Sequence, residues 1–251
     1  MTATAPRARA RAGSPPGSFR RLYAVFLRHQ LTWGRAAVIL ALGALAILVG
    51  VAIRAGADDQ VTAGTEFING FAFTTVVPVC ALVFSSSALG DTVDDRTLVY
   101  LWLTPVPRWR IAGAATLASI TVALPLVSIP LVAAAAATGA GRALVGATAM
   151  ACIVGTVGYA GVFAALGLRV RRALLWGIAY ILLWEGFVAT ASETAARLSL
   201  RAYTASILSQ YTGVGLRLGS LTLVSGIVVP LLVGAAFVGV TTWLLTRVTV
   251  D

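Results

Sequence analysis

Charged side chains are so sparse along this chain that the gaps between them mark out its elements. Five stretches carry none at all: Ala36–Ile53, Phe67–Gly90, Ile111–Gly141, Ala143–Leu168 and Leu218–Thr246. Each meets the roughly 17 to 25 residues a helix needs to cross the hydrocarbon core of a bilayer. A sixth, Ala173–Ala191, is interrupted only by Glu185. The pattern predicts an all-α polytopic membrane protein with six transmembrane helices. Two further stretches have another rhythm. Between Ser18 and Arg35, Phe19, Leu22, Tyr23, Phe26 and Trp33 recur at helical spacing, while Arg21, Arg28 and Arg35 repeat on a different face. That predicts an N-terminal interfacial helix, aromatics in the headgroup boundary and arginines toward anionic lipid. Between Ser192 and Gly219, Leu200, Tyr203, Ile207 and Tyr211 predict a short amphipathic helix before span six, at the outer surface or dipping into it.

Composition agrees with the pattern. Of 251 residues, 59% are hydrophobic and 11% charged, and the mean hydropathy is +0.90, so too little polar surface exists to solvate a soluble domain of this size. The net charge of +10 raises the question of nucleic acid, and the placement of the charge answers it. With six spans and an inner N-terminus, 14 of the 19 basic residues fall on the inner side. This is the positive-inside pattern of a multi-pass protein with both termini cytoplasmic, not a nucleic-acid face. Residues 1–17 are rich in Arg, Ala, Pro and Gly and read as a disordered cytoplasmic tail ahead of a single membrane domain, 18–251. The absence of lysine beside abundant Ala, Arg, Gly and Val suggests a GC-rich bacterial source, hence the bacterial cytoplasmic membrane.

The segment GDTVDDRTLVYLWLTPVPRWR, residues 90–110, concentrates charge between two uncharged runs. Thr92 or Asp94 can cap a helix there, and Asp94 and Asp95 suit its positive end. Leu98, Leu101 and Trp102 share one face, Pro105 and Pro107 end the helix, and Arg108, Trp109 and Arg110 anchor the next span at the interface. The expected element is a short cytoplasmic helix tied at both ends to spans two and three.

With its topology, this segment resembles the membrane subunit of a type-2 ATP-binding-cassette exporter. Members of that family carry after their second span an acidic cluster, a threonine-leucine step, a few apolar residues, then Thr-Pro or Leu-Pro and a basic residue. Here these are Asp94 and Asp95, Thr97 and Leu98, Thr104 and Pro105, and Arg108. Aspartate and Arg96 stand where family members commonly have glutamate and glycine. The resemblance implies that the segment is the coupling helix, with Asp91, Asp94, Asp95, Arg96, Thr97, Leu98, Leu101, Trp102, Thr104, Pro105 and Arg108 meeting an ATPase. It also implies two membrane subunits, alike or related, and two ATPase subunits that hold ATP and magnesium. This chain holds no cofactor and no metal of its own. A P-loop needs a lysine that the sequence lacks, so ATP hydrolysis belongs to another polypeptide.

Within the spans, Ser85, Ser86 and Ser87 line a possible polar route or bond to neighbouring backbone. Glu185 is the only acidic residue inside a span. It reads either as a substrate or proton contact, or as a structural group paired with Arg54, Arg197 or Arg201 near the outer boundary. An enzyme fits poorly: His29 is the single histidine and precedes the first span, and Glu185 has no second membrane carboxylate to work with. The remaining alternative is a non-transporting assembly or sensing component.

Overall fold

The computed structural model describes residues 18–30, 32–94 and 106–247, and every regular element among them is helical. In chain order these are α1 (Ser18–Gln30), α2 (Trp33–Gly56), α3 (Gln60–Phe67), a π-type run π1 (Ile68–Val76), α4 (Val77–Asp94), α5 (Arg108–Ala137), α6 (Arg142–Arg169), α7 (Ala173–Tyr180), a second π-type run π2 (Ile181–Val188), α8 (Leu200–Thr212) and α9 (Leu223–Arg247). Two single turns, Ala189–Ala191 and Glu193–Ala196, join π2 to α8. Among the described residues, five continuous rods are long and apolar enough to cross a membrane: α2, α3 through π1 into α4, α5, α6 and α9. Where Ala173–Ala191 was expected to be a further span, the apolar helix is Ala173–Val188, shorter than these.

Small residues decide how the rods meet. On α2, Gly43 lies against Pro130 of α5, and Gly50 against the carbonyl of Ala134 and the side chain of Ala137. The contacts advance together along both helices, so α2 and α5 run the same way. On α6, Gly155 meets Val77 and Gly167 meets Ser86, both on the α4 rod, while Gly158 meets Pro230 and Gly161 meets Gly234 on α9. Again the order is parallel. Helices of one direction therefore pack side by side, and α6, with its glycine face, is the most buried rod. Backbone approach of this kind supplies the dispersion contacts that hold membrane helices together where lipid competes on equal terms for apolar surface.

α1 departs from its expected place. Its apolar face is not left to the headgroups: Phe26 is buried among Ala88 and Leu89 of α4 and Ile111, Ala112 and Ala115 of α5, with Phe19, Leu22, Tyr23 and Leu27 partly buried around it. The alanines of α5 leave a groove that the rings fill. Hydrogen bonds tie the same face down, from Arg110 Nη1 to Ser18 Oγ (3.0 Å), from the Tyr23 hydroxyl to Thr121 Oγ1 (3.0 Å) and from Gln30 Nε2 to Ser119 Oγ (2.9 Å). Arg20, Arg21 and Arg28 remain exposed on the opposite face, and Trp33 stands 83% exposed at the start of α2.

The stretch before the last rod departs further. α8 is no surface helix, for Ala202, Ala205, Ile207 and Leu208 are wholly buried. Leu200 lies beside Gly158, near the middle of α6, and Thr204 beside Gly155, so α8 climbs antiparallel to α6 from mid-bundle to the end where α6 begins. α7 and π2 rise to the same level from the other end: Gly177 sits against Leu82, and Tyr180 meets Phe163 edge-on at 6.2 Å. Of the two placements the amphipathic stripe allowed, at the outer surface or dipping into it, α8 takes the second: Gly155 and Gly158 of α6 meet its Thr204 and Leu200, and Gly226 of α9 meets its Tyr203 and Ile207.

Proline shapes the second rod. Pro78 lacks the N–H that would bond back along the helix. The widened turns of π1 lie immediately upstream, and Thr74 Oγ1 donates to the Asn69 carbonyl there (3.2 Å). This run of π turns directly ahead of Pro78 is where the rod departs from regular α-helix.

Candidate functional site

Among the described residues, two polar clusters bear on function, one at an end of the bundle and one at its centre. At the end, α4 finishes, α5 begins, α6 finishes and α7 begins. Arg35, near the start of α2, reaches them: its Nη2 pairs with Asp91 Oδ2 at 3.2 Å and its Nη1 donates to Ser87 Oγ at 2.9 Å. The Ser87 hydroxyl in turn donates to the Phe84 carbonyl (3.2 Å). Both members of the ion pair are about one-third exposed, 32% each. Beside them opens a cleft of about 120 Å³, lined by Arg35, Ser86, Ser87, Asp91, Gly167 and Arg172 among others.

The expected coupling residues divide here. Asp91 and Arg108 lie on described helices at this end, Asp91 near the close of α4 and Arg108 as the first residue of α5. Asp94 is the last residue of α4. Asp95, Arg96, Thr97, Leu98, Leu101, Trp102, Thr104 and Pro105 lie outside the described residues. Thr92 is not a cap, because α4 continues through it to Asp94. Arg110, with its guanidinium over the Trp109 ring at 5.4 Å, opens α5 as an interfacial anchor does.

At the centre, Glu185 on π2 is fully buried, 0% exposed. Its carboxylate meets the first residues of α8. The N–H groups of Leu200 and Arg201 donate to Oε1 and Oε2, each at 3.3 Å, and the Ser199 hydroxyl donates to Oε2. The Tyr180 hydroxyl donates to Oε1 at 3.1 Å, and Arg201 Nη1 donates to the Glu185 carbonyl at 3.3 Å. A helix beginning inside a bundle leaves its first N–H groups with no water to bond, and its positive end favours an anion. Glu185 meets both needs. Of the cationic partners expected for it, Arg201 is present, through its own backbone and through a bond to the Glu185 carbonyl, while Arg54 instead gives its carbonyl to the Gln60 amide (3.0 Å).

The three serines of α4 separate as well. Ser85 is buried with its hydroxyl unpaired, Ser87 belongs to the ion-pair network, and Ser86 faces the cleft. The residues that sequence reading missed are Arg35, assigned to a lipid-facing stripe, and Ser199 with Tyr180. A serine directly ahead of an apolar-periodic run is an N-cap signal, and Ser199 before Leu200 carried it. Comparison with protein-family models, with curated proteins and with solved structures finds no match to this chain.

Proposed function

We propose that this chain is the permease subunit of an ATP-driven exporter of the type-2 ATP-binding-cassette class, working with a separate ATPase in the bacterial cytoplasmic membrane. The observation that carries the reading is the setting of residues 95–107. Their charged and proline-bounded sequence joins the end of α4 to the start of α5, and both helices are packed on the bundle. A partner that moved this tether would move two membrane rods at once. The surrounding end holds Arg35, Arg108, Arg110, Arg169, Arg171, Arg172 and Arg247, which the positive-inside rule assigns to the cytoplasm. In this reading Ala173–Val188 and α8 complete a sixth crossing in two pieces, which returns both termini to one side. A second copy or a related permease forms the other half of the pathway.

The decisive experiment is recovery of the tagged chain from its native host in mild detergent, with partners identified by mass spectrometry and ATPase activity assayed. A P-loop ATPase is the expected partner, lost when Asp94 and Asp95 are both reversed to arginine. Recovery of the chain alone, or with partners lacking a nucleotide site, would favour the non-transporting component.

A further inference from the structure

We propose that the apolar space between the end of α1, the start of α2 and the middle of α5 is a site for a neutral membrane lipid with a free hydroxyl, of the diacylglycerol kind. Its volume is about 230 Å³, against about 120 Å³ for the cleft at the charged end, and no charged residue stands in its wall. Leu27 of α1, Ala36 of α2, Phe84 of α4 and Val122 and Leu126 of α5 supply apolar surface. Thr121 and Pro125 line it too and are exposed, so the space opens on the outside of the bundle. Its depth is marked by Ala36, which directly follows Arg35 of the ion pair, and by Trp33, 83% exposed. A tryptophan so placed belongs to the boundary between headgroups and chains, where the glycerol of a lipid lies.

The second observation is an acceptor without a donor. Gln30 is 1% exposed and lines the space; its Nε2 donates to Ser119 Oγ at 2.9 Å, while its Oε1 has no hydrogen-bond partner. The neighbouring hydroxyl fixes that orientation. Ser119 Oγ lies 3.0 Å from the Ala115 carbonyl and 3.2 Å from that of Phe84, and its one hydrogen goes to one of them. What remains on Ser119 is an acceptor, so the amide nitrogen of Gln30 faces it and the amide oxygen faces away. Proline supplies a further acceptor: Pro125 has no N–H to return to the Thr121 carbonyl one turn back, and both residues line the space. The Thr121 hydroxyl is engaged elsewhere, donating to the Leu117 carbonyl (2.8 Å) and accepting from Tyr23. A buried acceptor without a donor is unfavourable, and a donor brought by a ligand removes the penalty. An uncharged apolar wall with acceptors selects an apolar molecule that carries a neutral donor. A phosphate would find no cation in that wall, and a plain hydrocarbon would leave Gln30 unanswered.

The inference does not rest on the permease reading; it needs only that the rods stand in a bilayer. Full-length protein is placed in nanodiscs of dioleoyl phosphatidylcholine, which has no free hydroxyl, with a trace of diacylglycerol bearing a diazirine on one acyl chain. After irradiation the labelled peptides are mapped by mass spectrometry. Labelling is expected in peptides that contain Leu27, Ala36 or Val122, suppressed by unlabelled dioleoylglycerol and not by its acetate ester, which keeps the chains and loses the donor. Gln30→Leu should weaken binding about fivefold, the loss of one neutral hydrogen bond, and erase the preference over the acetate. Ala36→Trp, which fills the space and leaves the hydrogen bonds alone, should abolish labelling. Equal competition by the alcohol and the acetate overturns the proposal, as does labelling confined to other peptides. Labelling indifferent to both substitutions, in proteins whose thermal unfolding is unchanged, overturns it too. The competition on the unaltered chain decides by itself where a variant fails to fold.

Discussion

Glu185 and Asp91 are both carboxylates set into a helical bundle, and they are held in opposite ways. Glu185 is wholly enclosed and takes its hydrogen bonds from the Tyr180 and Ser199 hydroxyls and the amides of Leu200 and Arg201. Asp91 keeps one-third of its side chain exposed and answers a single guanidinium. A carboxylate without solvent is stable only when protein groups replace water completely, so Glu185 has become part of the framework. An ion pair one-third exposed contributes little and exchanges partners readily, so Asp91 stands where something can arrive.

Five substitutions, the last read by an acid titration, test that contrast. The largest effect belongs to Glu185→Leu, which leaves the start of α8 and two hydroxyls without acceptors; a loss of about 3 to 5 kcal/mol is expected in reversible unfolding. Glu185→Gln, keeping the shape and half the acceptors, should cost markedly less, and equal losses for the two would deny that capping is the role. Next comes the packing around that centre. An added methyl at Gly161 would collide with the backbone of Gly234, so Gly161→Ala should cost about 1 to 3 kcal/mol and part α6 from α9. A cysteine crosslinking scan between the two rods reads the separation. Asp91→Asn should change stability by about 1 kcal/mol or less, and that change should shrink with added salt, whereas the Glu185 variants should ignore salt. The smallest effect is at the opposite end. Asp59 caps α3, and the Thr62 side chain together with the amides of Thr62 and Val61 holds its carboxyl below the usual value. A lowered folded value means stabilisation present above the unfolded value of about 4 and lost as pH falls through the folded one. Asp59→Asn should flatten that acid limb of the unfolding curve by slightly lowering stability at neutral pH while leaving it unchanged at low pH.

Much of the architecture was legible because a bilayer imposes length and uniform hydropathy, and both can be read directly. Trp33–Gly56, Arg108–Ala137 and Leu223–Arg247 follow from charge-free runs with arginine or tryptophan at their ends. Gly155, Gly158, Gly161 and Gly167, small residues along α6, each meet a neighbouring helix. What was not legible depended on partners. The stripe of Phe19, Leu22, Tyr23 and Phe26 is equally suited to lipid or to an alanine-lined groove, and only the alanines of α5, about 90 residues away, decide between them. The same ambiguity hid α8, whose apolar face fits a membrane surface as well as it fits α6. Glu185 was singled out by its rarity, but its role as a cap required knowing that a helix begins at Leu200 at the same depth.

The parallel pairing of α2 with α5 bears on how the chain is made. Gly43 and Gly50 await Pro130 and Ala134, which a ribosome adds long after α2 has left the exit tunnel. Until then α2 has bilayer alone for company. It is the most apolar of the five rods and among the least enclosed, which equips it to wait. α6, the most enclosed, emerges when α2, α4 and α5 are already in place, and it can therefore carry the glycines and hydroxyls that an isolated newcomer to the membrane could not.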